Sequence, residues 1–319
     1  MSGFVDQFWS STIDGLTIGS IYALVALGYT LVYGVLRLIN FAHSEIFMIG
    51  TFAALGTVSM FGLDAPATGF LLVAVLLCAT AAGMLAAGAS AVVLERVAYR
   101  PLRNRGSNRL AALISAIGAS LFLQELFAAR IHNGAIHLTG RDYINTDRVL
   151  KKSTLFHIGD GIVRADKLLV FVAAILMMLV LDRFVNKTRL GRGIRATAQD
   201  SESAVLMGVN IDRVIVLTFL IGGAMAGLAG ALYVVYFEQT KNLIGFVLGI
   251  KAFTAAVLGG IGNLRGALLG GLSIGLMENY GASIFGAEWK DVITFSILVL
   301  VLLFRPTGLL GESMGRSKA

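Results

Sequence analysis

Ionisable side chains inside apolar stretches are the residues of this sequence best placed to do chemistry. Glu45, Lys251 and Glu278 stand within or beside long apolar runs, and Glu125 follows Gln124 in another. A charge at the centre of a membrane helix costs about 2.5–3.5 kcal/mol, so each of these groups must face water, protein or lipid headgroups. They are too sparse for a proton relay. An ion-coupled secondary transporter or channel, which stays an alternative, would normally show a denser polar path.

The usual signatures of nucleotide hydrolysis and metal catalysis are missing. The chain contains no G-x-x-x-x-G-K-S/T phosphate loop, no H-E-x-x-H and no C-x-x-C. Its histidines, at positions 43, 132, 137 and 157, have no spacing typical of a metal site. The sequence therefore predicts a protein that is not an enzyme and that has no cofactor or metal of its own.

The composition excludes a water-soluble globule of this size. Hydrophobic residues make up 56% of the 319 and charged residues 14%, and the mean hydropathy is +0.80. Apolar runs of about 20 residues, enough for a helix to cross about 30 Å of hydrocarbon, recur along the chain. The sequence predicts an all-α fold, a polytopic transmembrane bundle of eight or nine spans in one domain, 1–319. The predicted spans are 14–36, 43–62, 67–92, 110–129, 168–185, 214–236, 243–262, 266–285 and 291–304.

Basic residues cluster in two of the connecting segments. One cluster contains Arg96, Arg100, Arg103, Arg105 and Arg109, and the other Lys187, Arg189, Arg192, Arg195 and Arg213. Cytoplasmic loops of membrane proteins carry an excess of Lys and Arg, so we predict both segments to be cytoplasmic and the N-terminus to be outside. This orientation accounts for the net charge of +7 without nucleic acid as a partner. A cytoplasmic tail then requires 243–262 to cross completely, and 131–167 becomes an external segment where a partner can touch.

Glycine is concentrated inside the predicted spans. Three pairs with a spacing of four residues form small faces that let helix backbones approach closely. They are Gly223 with Gly227, Gly266 with Gly270, and Gly271 with Gly275. The one cysteine, Cys78, lies in an apolar run, and we expect it to be buried as plain packing.

A polar island, Gly191–Arg213, separates two long apolar runs. Asp200 can cap a short helix, Glu202 lies in its first turn where the helix dipole favours an anion, and Gly208 can follow its last turn. The segment between them, Ala204–Met207, is too apolar to remain in water and too short to cross a bilayer. It must dock on a surface, either a partner protein or the membrane itself.

Glu202-Ser203-Ala204-Val205-Leu206-Met207-Gly208 resembles the E-x-A-x-x-x-G pattern in the cytoplasmic coupling loop of ABC importer permeases. Four longer segments, in the same order, resemble the permeases of branched-chain amino-acid ABC importers. They are 15–50, 191–210, 250–271 and 302–311. The resemblance implies an ABC permease fold, a bacterial inner-membrane location, a second homologous permease, ABC ATPase subunits that carry the ATP, an external substrate-binding protein and contact with membrane lipid.

In this family the segment 186–213 is the coupling loop, and Asp200, Glu202, Ala204 and Gly208 are the residues that match its coupling helix. Other polar residues are candidates for the translocation path. They are Asn40, His43, Glu45, Gln124, Lys251 and Glu278. Each of these residues also has a simpler interpretation. The first three, at the cytoplasmic mouth of the second span, can serve as helix caps. Gln124 and Glu278 can form hydrogen bonds between helices, and Lys251 can snorkel to the membrane interface.

Two departures from the family pattern affect the expected substrate. Ser44 stands where the family commonly has glycine, and Asn242-Leu243 stands where a proline is common. Close relatives of the family carry short amides or urea, so these remain alternatives to branched-chain amino acids.

Overall fold

The computed structural model describes residues 7–63, 65–129, 132–133, 136–137 and 141–311. This part of the chain is mostly helical, as predicted. The helices are α1 (Phe8–Leu36), α2 (His43–Met60), α3 (Gly69–Leu94), α4 (Arg100–Asn104), α5 (Arg109–Ala128), α6 (Ala165–Lys187), α7 (Arg189–Gln199), α8 (Ser201–Leu206), α9 (Ile211–Phe237), α10 (Ile244–Gly259), α11 (Leu264–Phe285) and α12 (Lys290–Phe304). A π-helical turn, Glu95–Tyr99, joins α3 to α4, and a 3₁₀ turn, Ala287–Trp289, precedes α12.

Short antiparallel strands add to the helices and correct the all-α prediction in detail. The pairs are β1 (His132–Asn133) with β2 (Ile136–His137), β3 (Ile144–Asn145) with β6 (Gln239–Thr240), and β4 (Thr154–Ile158) with β5 (Gly161–Arg164). Most of these strands lie in the predicted external segment, which has no apolar run long enough for a membrane helix. Gly159, with φ of +58°, supplies the left-handed backbone of the β4–β5 hairpin turn.

Within the described residues, five helices are long and apolar enough to cross a membrane: Phe8–Leu36, Gly69–Asn104, Leu110–Ala128, Ala165–Lys187 and Ile211–Phe237. Each of the other four predicted spans also contains a helix, but α2, α10, α11 and α12 are shorter or less apolar. The shorter apolar helix α10 has 16 residues. The predicted spans are therefore helical, while the number of crossings stays a prediction.

One end of the bundle, which we name the strand end, holds the β-strands and the start of α1. Asp160, in the β4–β5 turn, accepts hydrogen bonds from the backbone N–H groups of Trp9 and Ser10, each at 3.2 Å. Beside the β3–β6 pair, Lys152 Nζ lies 2.8 Å from Glu238 Oε1. The predicted external segment is thus tied to the beginning of α1 and to the end of α9.

The opposite end, which we name the coupling end, holds α4, α7 and α8. Arg100 and Arg103 each bind Asp212, at the start of α9, at 2.7 Å. Arg37, which follows α1, donates a hydrogen bond to the carbonyl oxygen of Ala198 at 2.9 Å. Leu310, which follows α12, also lies at this end, because Asn263 Nδ2 donates to its carbonyl oxygen at 2.8 Å.

The segment 37–42 turns from the coupling end back into the bundle, so that α2 begins inside it. The ring of His43, the first residue of α2, packs on Tyr29 with ring centroids 4.7 Å apart, and a Cβ at Gly28 would collide with the imidazole. Gly28 lies two turns before the end of α1, or about 12 Å along the helix axis. Glycine at this position therefore makes room for His43 at mid-depth.

The segment 238–243 enters the bundle from the strand end, so that α10 also begins inside the bundle. The Thr240 hydroxyl lies 2.6 Å from that of Thr51, inside α2, and both side chains are fully buried. The first turn of α10 then meets the first turn of α2, since a Cβ at Gly245 would lie 2.5 Å from the Ser44 carbonyl oxygen. The stretch 238–262 as a whole runs from the strand end to the coupling end, but only its second part is helical.

Glycines bring the helices into backbone contact. A Cβ at Gly19 would lie 2.7 Å from the Gly271 carbonyl oxygen, between α1 and α11. A Cβ at Gly83 would lie 2.8 Å from the Gly227 carbonyl oxygen, between α3 and α9. Every glycine of the three predicted pairs lies against another helix, which confirms the close packing expected from their spacing.

The expectation that Cys78 is buried is wrong, because its side chain is exposed on α3. Helices in a membrane are apolar on their lipid-facing side as well as on their packed side. An apolar run therefore does not tell which of its residues face the protein.

Replacement of Gly227 by valine tests the glycine packing. The new side chain would meet Gly83 backbone atoms, so we expect Gly227→Val to destabilise the protein by about 1–3 kcal/mol or more. The measurement is the thermal unfolding of the detergent-purified protein. Gly118→Val is the matched control, because a Cβ at Gly118 has nothing within 4 Å. Equal stability of the two variants would contradict the packing.

Candidate functional site

Glu45, in the first turn of α2, is fully buried where α2 meets α10. Its Oε1 accepts hydrogen bonds from Gln124 Nε2 at 2.8 Å, from Ser120 Oγ at 3.2 Å and from Ser44 Oγ at 3.3 Å. Its Oε2 is buried and has no hydrogen-bond partner, and no ion pair within the described part of the chain includes it. The structure thus joins two path candidates, Glu45 and Gln124, that lie on different helices.

His43 lies further inside the bundle than its predicted place at the mouth of the second span, whereas Asn40 lies beside Tyr99, which leads into α4 at the coupling end. Both are buried, and Tyr99 OH donates to Asn40 Oδ1 at 2.9 Å. Asn40 Nδ2 and His43 Nε2 have no hydrogen-bond partner in the described residues. The sequence did not indicate this depth, because nothing in the local pattern shows that the chain turns back after α1.

Lys251 is held inside the protein by acidic residues of two other helices. Its Nζ lies 2.8 Å from Glu278 Oε1 and 2.7 Å from Asp291 Oδ1. Tyr22 OH donates to Glu278 Oε2 at 3.0 Å, and the side chains of Lys251 and Glu278 are 8% and 3% exposed. The Lys251 ammonium group is therefore paired with carboxylates of the chain, and one of these, on Asp291, is 58% exposed. With two carboxylates on its ammonium group, Lys251 is poorly suited to attract the carboxylate of a passing substrate.

The short helix α8 has the caps that the sequence predicts. Asp200 accepts hydrogen bonds from the N–H groups of Glu202 at 3.0 Å and Ser203 at 3.3 Å. The Ser203 hydroxyl and these N–H groups hold the pKa of Asp200 below its ordinary value. The capping contribution is therefore present at neutral pH and is lost only as the pH falls through that lowered pKa. Gly208 follows the helix with φ of +83°, and Val209 N–H donates to the Ala204 carbonyl oxygen at 3.0 Å, as in a Schellman motif.

The apolar residues of α8 divide into a packed residue and an exposed tip. Ala204 is 3% exposed and packs within the chain, whereas Val205, Leu206 and Met207 are 53%, 87% and 85% exposed. The expectation that Ala204 needs an external surface is therefore wrong, since the chain itself covers it. The segment that lacks a covering surface is the tip, Val205–Met207.

Some residues of these sites escaped the sequence analysis. Ser120 and Asp291 carry no motif, although Asp291 in the first turn of a helix is a recognisable acidic position. Asn242 stood out only as a departure from the family pattern and not as a site residue. Gly271–Gly275 around Ser273 has the G-x-S-x-G spacing of a hydrolase nucleophile. It lies in the interior of α11 and not on a strand-to-helix turn, so it lacks the geometry of that motif.

A double-variant comparison tests the buried Lys251 pair. Lys251→Met leaves Glu278 buried without its cation, which costs about 3–5 kcal/mol for a broken buried pair. We expect Lys251→Met with Glu278→Gln to be more stable than Lys251→Met alone, because the second change removes the unpaired charge. Thermal unfolding of the purified variants measures the difference. A double variant that is no more stable than the single one would show that the two side chains are not coupled.

Comparison with known proteins gives matches over almost the whole chain. It is 44% identical over 310 residues to the high-affinity branched-chain amino acid transport system permease protein BraD of Pseudomonas aeruginosa, with 96% of each chain covered. It is 43% identical over 308 residues to the corresponding protein LivH of Escherichia coli K12, again with 96% of each chain covered. A probable branched-chain amino acid transport permease protein LivH of Methanocaldococcus jannaschii is 27% identical over 318 residues, covering 96% of this chain and 94% of its own.

No solved structure matched the chain. Residues 11–302 match the family described as the permease component of branched-chain amino acid transport systems. These matches favour the branched-chain interpretation over the amide, urea and ion-coupled alternatives. The chain belongs to the permease-component family of branched-chain amino acid transport systems.

Proposed function

We propose that this chain is the membrane-spanning permease subunit of an ATP-driven ABC importer for branched-chain amino acids. The observation that carries the proposal is the 44% identity over 96% of the chain to a high-affinity branched-chain amino acid permease. An external binding protein delivers the substrate, and separate ABC ATPase subunits hydrolyse the ATP. The chain itself is a transport subunit and not an enzyme, and it carries no cofactor.

In this proposal the bundle crosses the bacterial inner membrane nine times, with its N-terminus outside. The distribution of the connecting segments between the two ends of the bundle supports this topology. The start of α1, the hairpin and Glu238 share the strand end, and Arg100, Asp212 and Leu310 share the coupling end. An odd number of crossings brings the tail to the end opposite the N-terminus. The strand end is then external and the coupling end cytoplasmic, which agrees with the positive-inside rule.

Residues 1–319 form one permease domain, and 186–213 is its contact with the ATPase. The exposed tip of α8 supports this assignment, because an apolar tip at the cytoplasmic end fits a cleft on a partner protein. Asp200 and Gly208 fix the two ends of the helix, Glu202 complements its first turn, and Ala204 anchors it to the bundle. The tip can then transmit the movement of the ATPase to the helices behind it.

A second homologous permease completes the path, and lipid covers the remaining outward faces. The exposed apolar side chains of α3 and α12 support both contacts, since such faces need either lipid or another helix. The external segment 131–167 is the part available to the binding protein. Selection belongs to that protein, so the permease needs only a weak site through which a zwitterionic amino acid can pass.

Purification and uptake together test this function. We expect the chain, isolated from its native membrane, to bring an ABC ATPase and a second permease with it and to show no ATPase activity alone. The complete assembly, reconstituted in proteoliposomes with its binding protein, is expected to take up leucine, isoleucine and valine when ATP is supplied. Uptake of short amides or urea in place of these amino acids would contradict the substrate assignment. Proton-driven uptake by the isolated chain would contradict the importer itself.

Substitution of Leu206 tests the coupling tip. We expect Leu206→Arg to insert and fold normally, because the side chain is 87% exposed. In an apolar cleft the arginine would replace an anchor side chain with an unpaired charge, a change that typically costs about 2 kcal/mol or more of binding free energy. Retention of the ATPase on the purified permease is the measurement.

The matched control for the coupling tip is Leu155→Arg, on β4 at the strand end, where the leucine is 50% exposed. This variant is expected to keep the ATPase. Normal ATPase binding by Leu206→Arg would show that the tip lies on the membrane surface and not in a partner. Ala204→Arg is not a suitable variant, because it would disrupt packing inside the chain.

A further inference from the structure

Two helices begin at the same place inside the bundle, and neither has a side-chain cap. The N-cap residues are Ala42 for α2 and Leu243 for α10, and neither forms a capping hydrogen bond through its side chain. The first N–H groups of a helix lack partners within it, and the helix dipole adds about half a positive charge there. The meeting of two such ends makes the interior positive at this point, which favours an anion.

Glu45 supplies a carboxylate at this point, but one of its two oxygens has no hydrogen-bond partner. Oε1 is fully engaged by side chains of α2 and α5, whereas Oε2 is buried without a partner. A Cβ at Gly245 would lie 2.8 Å from Oε2, so the first turn of α10 lies directly against this atom. A buried charged oxygen without a hydrogen bond is costly, and that cost is removed by a ligand that donates to it.

Asn242 is the second unused group. It directly precedes α10 and is 1% exposed, and both Nδ2 and Oδ1 are buried without a hydrogen-bond partner in the described residues. A buried amide normally satisfies both atoms, and side chains that do not are uncommon in folded proteins. A ligand that carries both a donor and an acceptor group would satisfy the pair.

We propose that Glu45 Oε2, Asn242 and the first turn of α10 form a transit site for the ammonium and carboxylate groups of an α-amino acid. This inference rests on the proposed function and assigns the groups that the substrate meets at mid-depth. The ammonium group donates to Glu45 Oε2. The Ile244 N–H already donates to the Lys241 carbonyl oxygen at 3.2 Å. The carboxylate therefore accepts from Asn242 Nδ2 and from the next N–H groups in the first turn of α10, where the helix dipole favours it.

The site is closed in this structure and opens only if α10 moves away from α2. A Cβ at Gly249 would collide with the Ser44 side chain, so the two helices are in direct contact beside Glu45. A narrow crevice between α1 and α10, lined by Tyr29, Asn40 and Phe253 among others, lies towards the coupling end. Substrate is therefore held only while the contact is open, and it leaves along the crevice.

Removal of the Glu45 charge tests the site in the complete importer. Glu45→Gln keeps an oxygen for the hydrogen bonds from Gln124 and Ser120 but cannot pair with an ammonium group. In proteoliposomes with ATP and leucine-loaded binding protein, we expect leucine uptake to fall about tenfold or more, with ATP hydrolysis close to the wild-type rate. Glu125→Gln is the control, because Glu125 is exposed and pairs with Arg141 on the surface. Wild-type uptake by Glu45→Gln would overturn the proposal.

Charge-selective labelling provides a second test that does not depend on leucine uptake by the Glu45→Gln variant. In a Cys78→Ala background, Ser44→Cys places a thiol beside Glu45, and thiol reagents of equal size and opposite charge are applied during ATP turnover. We expect the ratio of the cationic to the anionic rate to fall about tenfold when Glu45→Gln is added to the Ser44→Cys protein, because the helix ends favour anions and only Glu45 attracts cations. An unchanged ratio would overturn the site. If the wild-type importer takes up no branched-chain amino acid, the proposed function fails, while the labelling still decides whether Glu45 attracts cations.

Discussion

Membrane hydrocarbon offers no hydrogen-bond partner to a peptide group, so any break in a helix at that depth has to be enclosed by protein. The described part of the chain has two such breaks, 37–42 and 238–243, and the helices around them are arranged to enclose them. At the first break Tyr99 OH donates a hydrogen bond to Asn40, and at the second the hydroxyl groups of Thr51 and Thr240 are hydrogen-bonded to each other. The backbone contacts between glycines bring α1, α2, α3, α9 and α11 close enough to shut out lipid. The breaks therefore require close helix packing, which excludes lipid from them and also stabilises the fold.

Buried charge is handled in two different ways within the same bundle. Lys251 is neutralised by ion pairs with Glu278 and Asp291, so α10, α11 and α12 are fastened together by a contact that is costly to separate. Glu45 has hydrogen bonds on one oxygen and two helix ends near it, but no cation. The first arrangement is suited to holding helices in place. The second leaves an oxygen free for the ammonium group of the substrate in the transit site that we propose, although the two residues look alike in the sequence.

The sequence predicted those features that depend on neighbouring residues. Apolar runs located the long helices, Asp200 and Gly208 marked the ends of α8, and glycine spacing identified faces of close approach. The sequence could not predict contacts between distant elements, because hydropathy shows that a run is apolar but not which side of its helix faces the protein. Cys78 is exposed for this reason. The pairing of Glu45 with Gln124 and the burial of Asn242 depend on how the chain turns back after α1 and α9, and no local pattern encodes that turn.

The hydrogen bonds from Trp9 and Ser10 to Asp160 have a consequence for biogenesis. The first helix is synthesised long before the hairpin whose turn completes its amino end, and four more helices emerge between them. Until the hairpin is made, the first N–H groups of α1 have only water or headgroups as partners. Insertion of α1 and its final anchoring are therefore separate events in time. A nascent chain halted before residue 160 would hold a first helix that is already in the membrane but not yet fastened at its outer end.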